Sequence, residues 1–258
     1  MRNTPHWESL EIGGGRVRSL DTDHFHLSLP PTRSRGYADA QIDDYRRLSR
    51  RRFPWNPPVQ MRLEARASTP RPQGTLGFGF WNDPFSLSLG QGGAAQRLPS
   101  SPQAIWFFYG SPPHDLALAP GVPGSGWKAA VLQTPRIPSL ALAPLALGAI
   151  ALAQIPGLKR PVIRKALKFA DAEERLISRS LNEWHRYELE WLEQGARFSI
   201  DGQTVLQTTI SPPAPLGFVT WIDNQYAIAS PEGGFRFGVL PLAEEQWLEI
   251  RGLEVIDL

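Results

Sequence analysis

Two short strings set an indole and a carboxylate at the spacing that puts both on one side of an extended strand. One is Trp81-Asn82-Asp83 and the other Trp221-Ile222-Asp223-Asn224; residues i and i+2 of a strand share a face. Indoles suit sugar rings and other flat apolar groups, while carboxylates accept from hydroxyls or exchange protons with a substrate. If both strings line one surface, Trp81, Asn82, Trp221 and Asn224 are expected to hold a ligand, with Asp83 and Asp223 as the acid/base candidates. In the competing reading the indoles are core and the aspartates cap turns; Asp83 precedes Pro84, which suits turn initiation. Trp106 and Tyr109 are further ligand-binding candidates. They lie on opposite sides of the strand-like string 103–110, so at most one can join such a surface. Glu64 is also counted toward the ligand, and with Asp43 it is a supplementary acid/base group.

The remaining polar groups point to less. His114 has Asp115 beside it, but sequence neighbours on a loop rarely converge. His185 reads as a structural hydrogen-bonding residue, and His24 with His26 would share a strand face. No histidine pair has metal-ligand spacing and cysteine is absent, so no metal site and no cofactor is expected. The G-x-G at 77–79 falls inside a strand-like string, not before a helix, and gives no phosphate loop.

The elements that must position these groups read as strands. Phe25, Leu27 and Leu29 alternate with His24, His26 and Ser28; Leu63, Ala65 and Ala67 alternate with Arg62, Glu64 and Arg66. Tyr37, Asp39, Gln41, Asp43 and Tyr45 share a side if 37–46 is extended, with a helix from Ala38 as the alternative. The string 184–206 alternates Tyr187, Leu189 and Trp191 against Glu188 and Glu190, then Phe198 and Ile200 against Arg197 and Ser199. It ends at Asp201-Gly202, a tight-turn signal. Further strands are expected at 127–133, 215–227, 233–240 and 246–256, about twelve in all at the spacing of a sandwich.

Composition agrees. A chain of 258 residues with Pro 25 and Gly 23 suits many short strands in one large domain spanning 1–258. Net charge is +2, with 23 Arg and 4 Lys, so no polyanion field and no nucleic-acid partner is expected. The arginine run 46–52 reads as a solvated turn. No apolar leader segment is visible at the N-terminus, which favours the cytoplasm.

Three strings resemble the concanavalin A-like lectin/glucanase superfamily, the laminarinase-type jelly rolls in particular: RLEARASTPRPQGTLGFGFW (62–81), the hairpin W-H-x-Y-x-L-E-W…R-F-x-I-D-G (184–202), and the terminal WLEIRGLEVI (247–256). The resemblance implies an all-β jelly-roll sandwich whose concave sheet holds the ligand. Hydrolytic members carry E-x-D-x-E on one strand; no such string occurs here, so their activity is not carried over. From 137 to 158 the chain holds no charged residue, and the string that follows spaces Val162, Ile163, Ala166, Leu167 and Ala170 as a helix does. An inserted helical hairpin over 137–180 is therefore expected. It would serve as a lid on the groove, or alternatively as a membrane-peripheral contact through 139–168. The combined expectation is a protein enclosing a carbohydrate or apolar small molecule. The alternatives are an acid/base enzyme using Asp83 and Asp223 and a membrane-peripheral interaction protein.

Overall fold

A computed structural model describes residues 6–33, 36–84, 97–119, 121–137, 170–230 and 234–258. In chain order the strands are β1 (Glu8–Ile12), β2 (Arg16–Asp21), β3 (His24–Leu29), β4 (Asp39–Asp43), β5 (Val59–Ala67), β6 (Thr75–Trp81), β7 (Ala104–Gly110) and β8 (Gly126–Gln133). After them come β9 (Asp171–Leu176), β10 (His185–Leu192), β11 (Gly195–Ile200), β12 (Gln203–Thr208), β13 (Gly217–Asp223), β14 (Gln225–Ser230), β15 (Gly234–Val239) and β16 (Gln246–Asp257). A single 3-10 turn at Arg50–Arg52 is the only helical element among the described residues.

The strands form two seven-stranded antiparallel sheets and one hairpin. The front sheet runs β1-β4-β13-β6-β7-β8-β9, the back sheet β12-β11-β10-β5-β16-β3-β2, and β14 pairs with β15. Period-two alternation explains the layering. Leu76, Phe78 and Phe80 of the front sheet face Tyr187, Leu189 and Trp191 of the back sheet, all buried. Phe78 meets Tyr187 at 4.9 Å and Phe107 meets Phe198 at 5.2 Å between ring centroids, as aromatic pairs do in a close-packed core.

The hairpin of 184–206 forms as its alternation requires: Leu189 pairs with Phe198 and Trp191 with Ala196. Asp201 (φ 52°) and Gly202 (φ 76°) make the turn into β12 in the left-handed region. His185 is structural here, its Nδ1 2.7 Å from Asp201 Oδ2. Extended backbone, not a helix, takes Asp39–Asp43.

One expectation is overturned. The expected helical hairpin extends to residue 180, yet Asp171–Leu176 is strand β9, pairing along β8 from Gln133–Asp171 to Lys128–Leu176. The helix-favouring residues of DAEERL yield to the open edge of the front sheet, which supplies a hydrogen-bonding ladder that local propensity cannot outweigh. The rest of that hairpin, 138–169, lies outside the described residues, and so does the membrane-contact reading placed on it. Among the described residues no helix is long and apolar enough to cross a membrane.

Candidate functional site

The outward side of the front sheet is a grid whose rungs follow from strand register. The first rung is Asp39 (β4), Asp223 (β13), Thr75 (β6) and Gly110 (β7). The second is Gln41, Trp221, Gly77, Phe108 and Lys128. The third is Asp43, Val219, Gly79, Trp106, Ala130 and Glu174. The fourth is Gly217, Trp81, Ala104 and Leu132. Trp81, Trp106 and Trp221 thus share one side, as the sequence strings suggest.

Glycines on that side make the aromatic surface possible. A Cβ on Gly77 would stand 2.8 Å from the Trp221 ring, and one on Gly79 2.7 Å from Trp106 Cβ. On Gly110 it would stand 2.6 Å from His114 Cδ2, and on Gly217 it would strike Tyr45. At Gly77, Gly110 and Gly217 the missing side chain leaves a gap that a neighbouring ring occupies, and at Gly79 it admits the Trp106 backbone and Cβ. Trp81, Trp106, Trp221, Phe108 and His114 then follow one another at centroid distances of 5.8, 5.5, 5.9 and 5.2 Å. Trp81, Trp106 and Phe108 remain half-buried and Trp221 is 9% exposed.

Carboxylates stand at both ends of this aromatic row, in different electrostatic states. Asp83 leaves the strand at φ 45°, which breaks the period-two projection from Trp81. Its carboxylate is ion-paired with Arg97, whose guanidinium also donates to the Tyr45, Arg46 and Leu48 carbonyls. Asp43 is held by Arg46 at 2.6 Å, and Glu174 by Lys128 at 3.1 Å. Asp39 and Asp223, directly opposite each other, have no ion pair among the described residues. Burial, then the opposing Asp223, raises Asp39 well above the usual carboxylate range. Burial likewise pushes Asp223 up to about 6, against donors from Gln225 N and Thr75 Oγ1, both 2.9 Å from its Oδ1. Trp221 Nε1 donates to the same Thr75 hydroxyl at 3.0 Å. Asp39 Oδ1 is buried without a partner among the described residues, and Tyr37 bonds the Asp39 side chain.

The other sequence candidates sit elsewhere. Asn82 closes the loop back to β7, donating to Ser101 O and accepting from Gln103 N. Asn224 is fully buried, bonded to Ala38 N, Gly36 O and Leu240 O. Tyr109 points into the core between the sheets. Glu64 is on the back sheet, bonded to Arg251 Nε at 2.7 Å. Asp83 and Asp223 lie at opposite ends of β6, roughly 20 Å apart at ~3.3 Å per residue, too far to act on one bond. Asp39 and His114 are named in the sequence reading but not assigned to the site. The i+2 run from Tyr37 to Tyr45 exposes Asp39, but only register brings it against Asp223.

Burial also sets His114. Its Nδ1 accepts from Ala227 N at 3.2 Å, and desolvation, then Lys128, lowers it to about 4, so the ring is neutral with its proton on Nε2. That Nε2 is buried without a partner among the described residues.

No protein-family model matches the chain, and no curated protein matches its sequence. Solved structures are similar in fold. A sialidase aligns over 97% of this chain at 10% identity and TM-score 0.44, but this chain spans 17% of its length. A legume lectin-like domain from Entamoeba histolytica aligns over 98% of this chain and 90% of its own, at 7% identity and TM-score 0.47. For a beta-1,3-glucanase from Mycobacterium marinum the figures are 98%, 92%, 12% and 0.43. These likenesses transfer no residue, ligand or reaction. What the chain itself shows, among the described residues, is an all-β sandwich of two antiparallel seven-stranded sheets.

Proposed function

We propose that the outward side of the front sheet binds a carbohydrate, with the rings over the glycine gaps as its stacking surface. The carrying observation is the continuous row Trp81–Trp106–Trp221–Phe108, flanked by polar groups, on the outward side of the front sheet, with Trp81, Trp106 and Phe108 half-buried. Sugars present an apolar ring face and a hydroxyl rim, and that combination matches indoles bordered by Gln41, Asp223 and Asp39. A wholly apolar ligand would leave those carboxyl groups desolvated and unmatched. An acid/base role for Asp83 with Asp223 has no support in their separation. Tryptophan fluorescence titrated with oligosaccharides tests the reading. Quenching that saturates, and is weakened about tenfold or more by Trp106→Ala, a loss of the size a stacked ring contributes, is expected. Quenching by apolar probes alone, or unchanged affinity in Trp106→Ala, would reject it.

A further inference from the structure

The Asp39–Asp223 end of the row is the one place on this side, among the described residues, where buried acid lacks a counter-charge. Asp43, Asp83 and Glu174 each have a cation of their own. Asp39 is 4% exposed, with Oδ1 unpartnered among the described residues, while Asp223 is met by the Thr75 hydroxyl and by the backbone N–H groups of Gln225 and Thr75, with no cation among them. Two strands away in the same rung, the His114 ring covers Gly110, and its Nε2–H is buried and partnerless in a residue 4% exposed. Buried polar groups are normally satisfied, so an orphan acceptor and an orphan donor flanking one aromatic floor indicate a missing polar partner. At ~4.8 Å per strand, the gap between Asp223 and Gly110 is roughly 10 Å, the width of one sugar ring with its hydrogen bonds.

We propose that this rung is the receptor for an organic ammonium group: an amino sugar whose cation sits against Asp39 and Asp223, whose ring lies on Trp221 and Phe108, and whose hydroxyl accepts from His114 Nε2. The inference rests on the carbohydrate reading above and narrows it. A carboxyl pair opposite an ammonium forms charge-assisted bonds, and the Trp221 indole adds cation–π attraction. Anionic sugars are disfavoured by the same pair. A metal ion suits the place less well, since among the described residues no three acid or histidine side chains converge. Around the pair stand Tyr37, Asp43 and Arg46 from the β4 side, with His114, Lys128 and Glu174 beyond Thr75. Arg46 and Lys128 are committed to Asp43 and Glu174.

The test compares fully deacetylated glucosamine trimer, its N-acetylated counterpart and a neutral glucose trimer, by tryptophan fluorescence at pH 7. The free-amine trimer is expected to bind about tenfold tighter than the other two, the equivalent of one charge-assisted contact. Asp223→Asn should erase that preference, bringing the free-amine trimer down to the affinity of the neutral trimer measured on the same variant. Lowering the pH through 6 should also weaken the amine selectively as the pair takes up protons. Equal affinity for amine and N-acetylated trimers would overturn the ammonium site and leave the groove intact. Calcium ions alone competing with the amine would overturn it in favour of a metal. Failure of every oligosaccharide to quench would remove the groove and this site together.

Discussion

At the scale of single residues, the chemistry of the outward side is decided by who is paired. Asp43, Asp83 and Glu174 are neutralised by Arg46, Arg97 and Lys128, whereas Asp39 and Asp223 face each other without a cation among the described residues. Burial raises both above the usual carboxylate range, Asp223 to about 6. Between pH ~4, where such a group titrates in the unfolded chain, and 6, the folded protein therefore holds protons that the unfolded chain has released. Their contribution to stability falls as pH rises through that window. Asp223→Asn, which keeps the oxygen that accepts from Thr75 and Gln225, should raise the melting temperature at pH 7.5 and change it little at pH 4. Thermal melts at the two values check this, and a variant no more stable than the parent at pH 7.5 would contradict it. His114 has the opposite sign: its lowered pKa of about 4 adds stability that is lost as pH falls from ~6.5 toward 4.

At the scale of elements, glycine spacing on β6 and an edge ion pair on β9 shape the surface. Gly77→Ala would press a methyl on the Trp221 ring and the Phe107 carbonyl. A cost of about 1–3 kcal/mol is expected from such overpacking, together with weaker ligand quenching, both readable from urea unfolding and fluorescence titration. The Lys128–Glu174 pair is almost wholly buried, and Glu174 Oε1 also accepts from Leu118 N and Ala119 N, tying the 116–119 loop to β9. Lys128→Met would leave that carboxylate unpaired and should cost about 3–5 kcal/mol in chemical denaturation. A loss under about 1 kcal/mol would mean that water reaches the pair. The G-F-G string of β6 is visible as sequence, but its use is not. It lets β7 and β13 come close: Trp221, far along the chain, lays its ring over Gly77, and the Trp106 backbone and Cβ press against Gly79.

At the scale of the whole molecule, β8 and β9 meet with Gln133 opposite Asp171, so the chain leaves and re-enters the front sheet at neighbouring points. Replacing 138–169 by a short glycine–serine linker should then preserve a single cooperative unfolding transition. Two transitions, or failure to fold, would show that this segment supplies part of the core. The same shortened protein in the oligosaccharide titration reports whether 138–169 contributes to the ligand site.

Alternation within a few residues was enough to establish the all-β class, the 184–206 hairpin with its Asp201-Gly202 turn, and the shared side of Trp221 and Asp223, because pleat periodicity and turn chemistry are local properties. Local pattern failed where long-range pairing competed with it. Asp171–Leu176 reads as helix but completes a sheet edge, Asp83 is turned away by one left-handed residue, and Asn82 and Asn224 serve loop closures. The meeting of Asp39 with Asp223 is the furthest from local information: the two lie near opposite ends of the chain, and only β4–β13 register sets one carboxyl against the other.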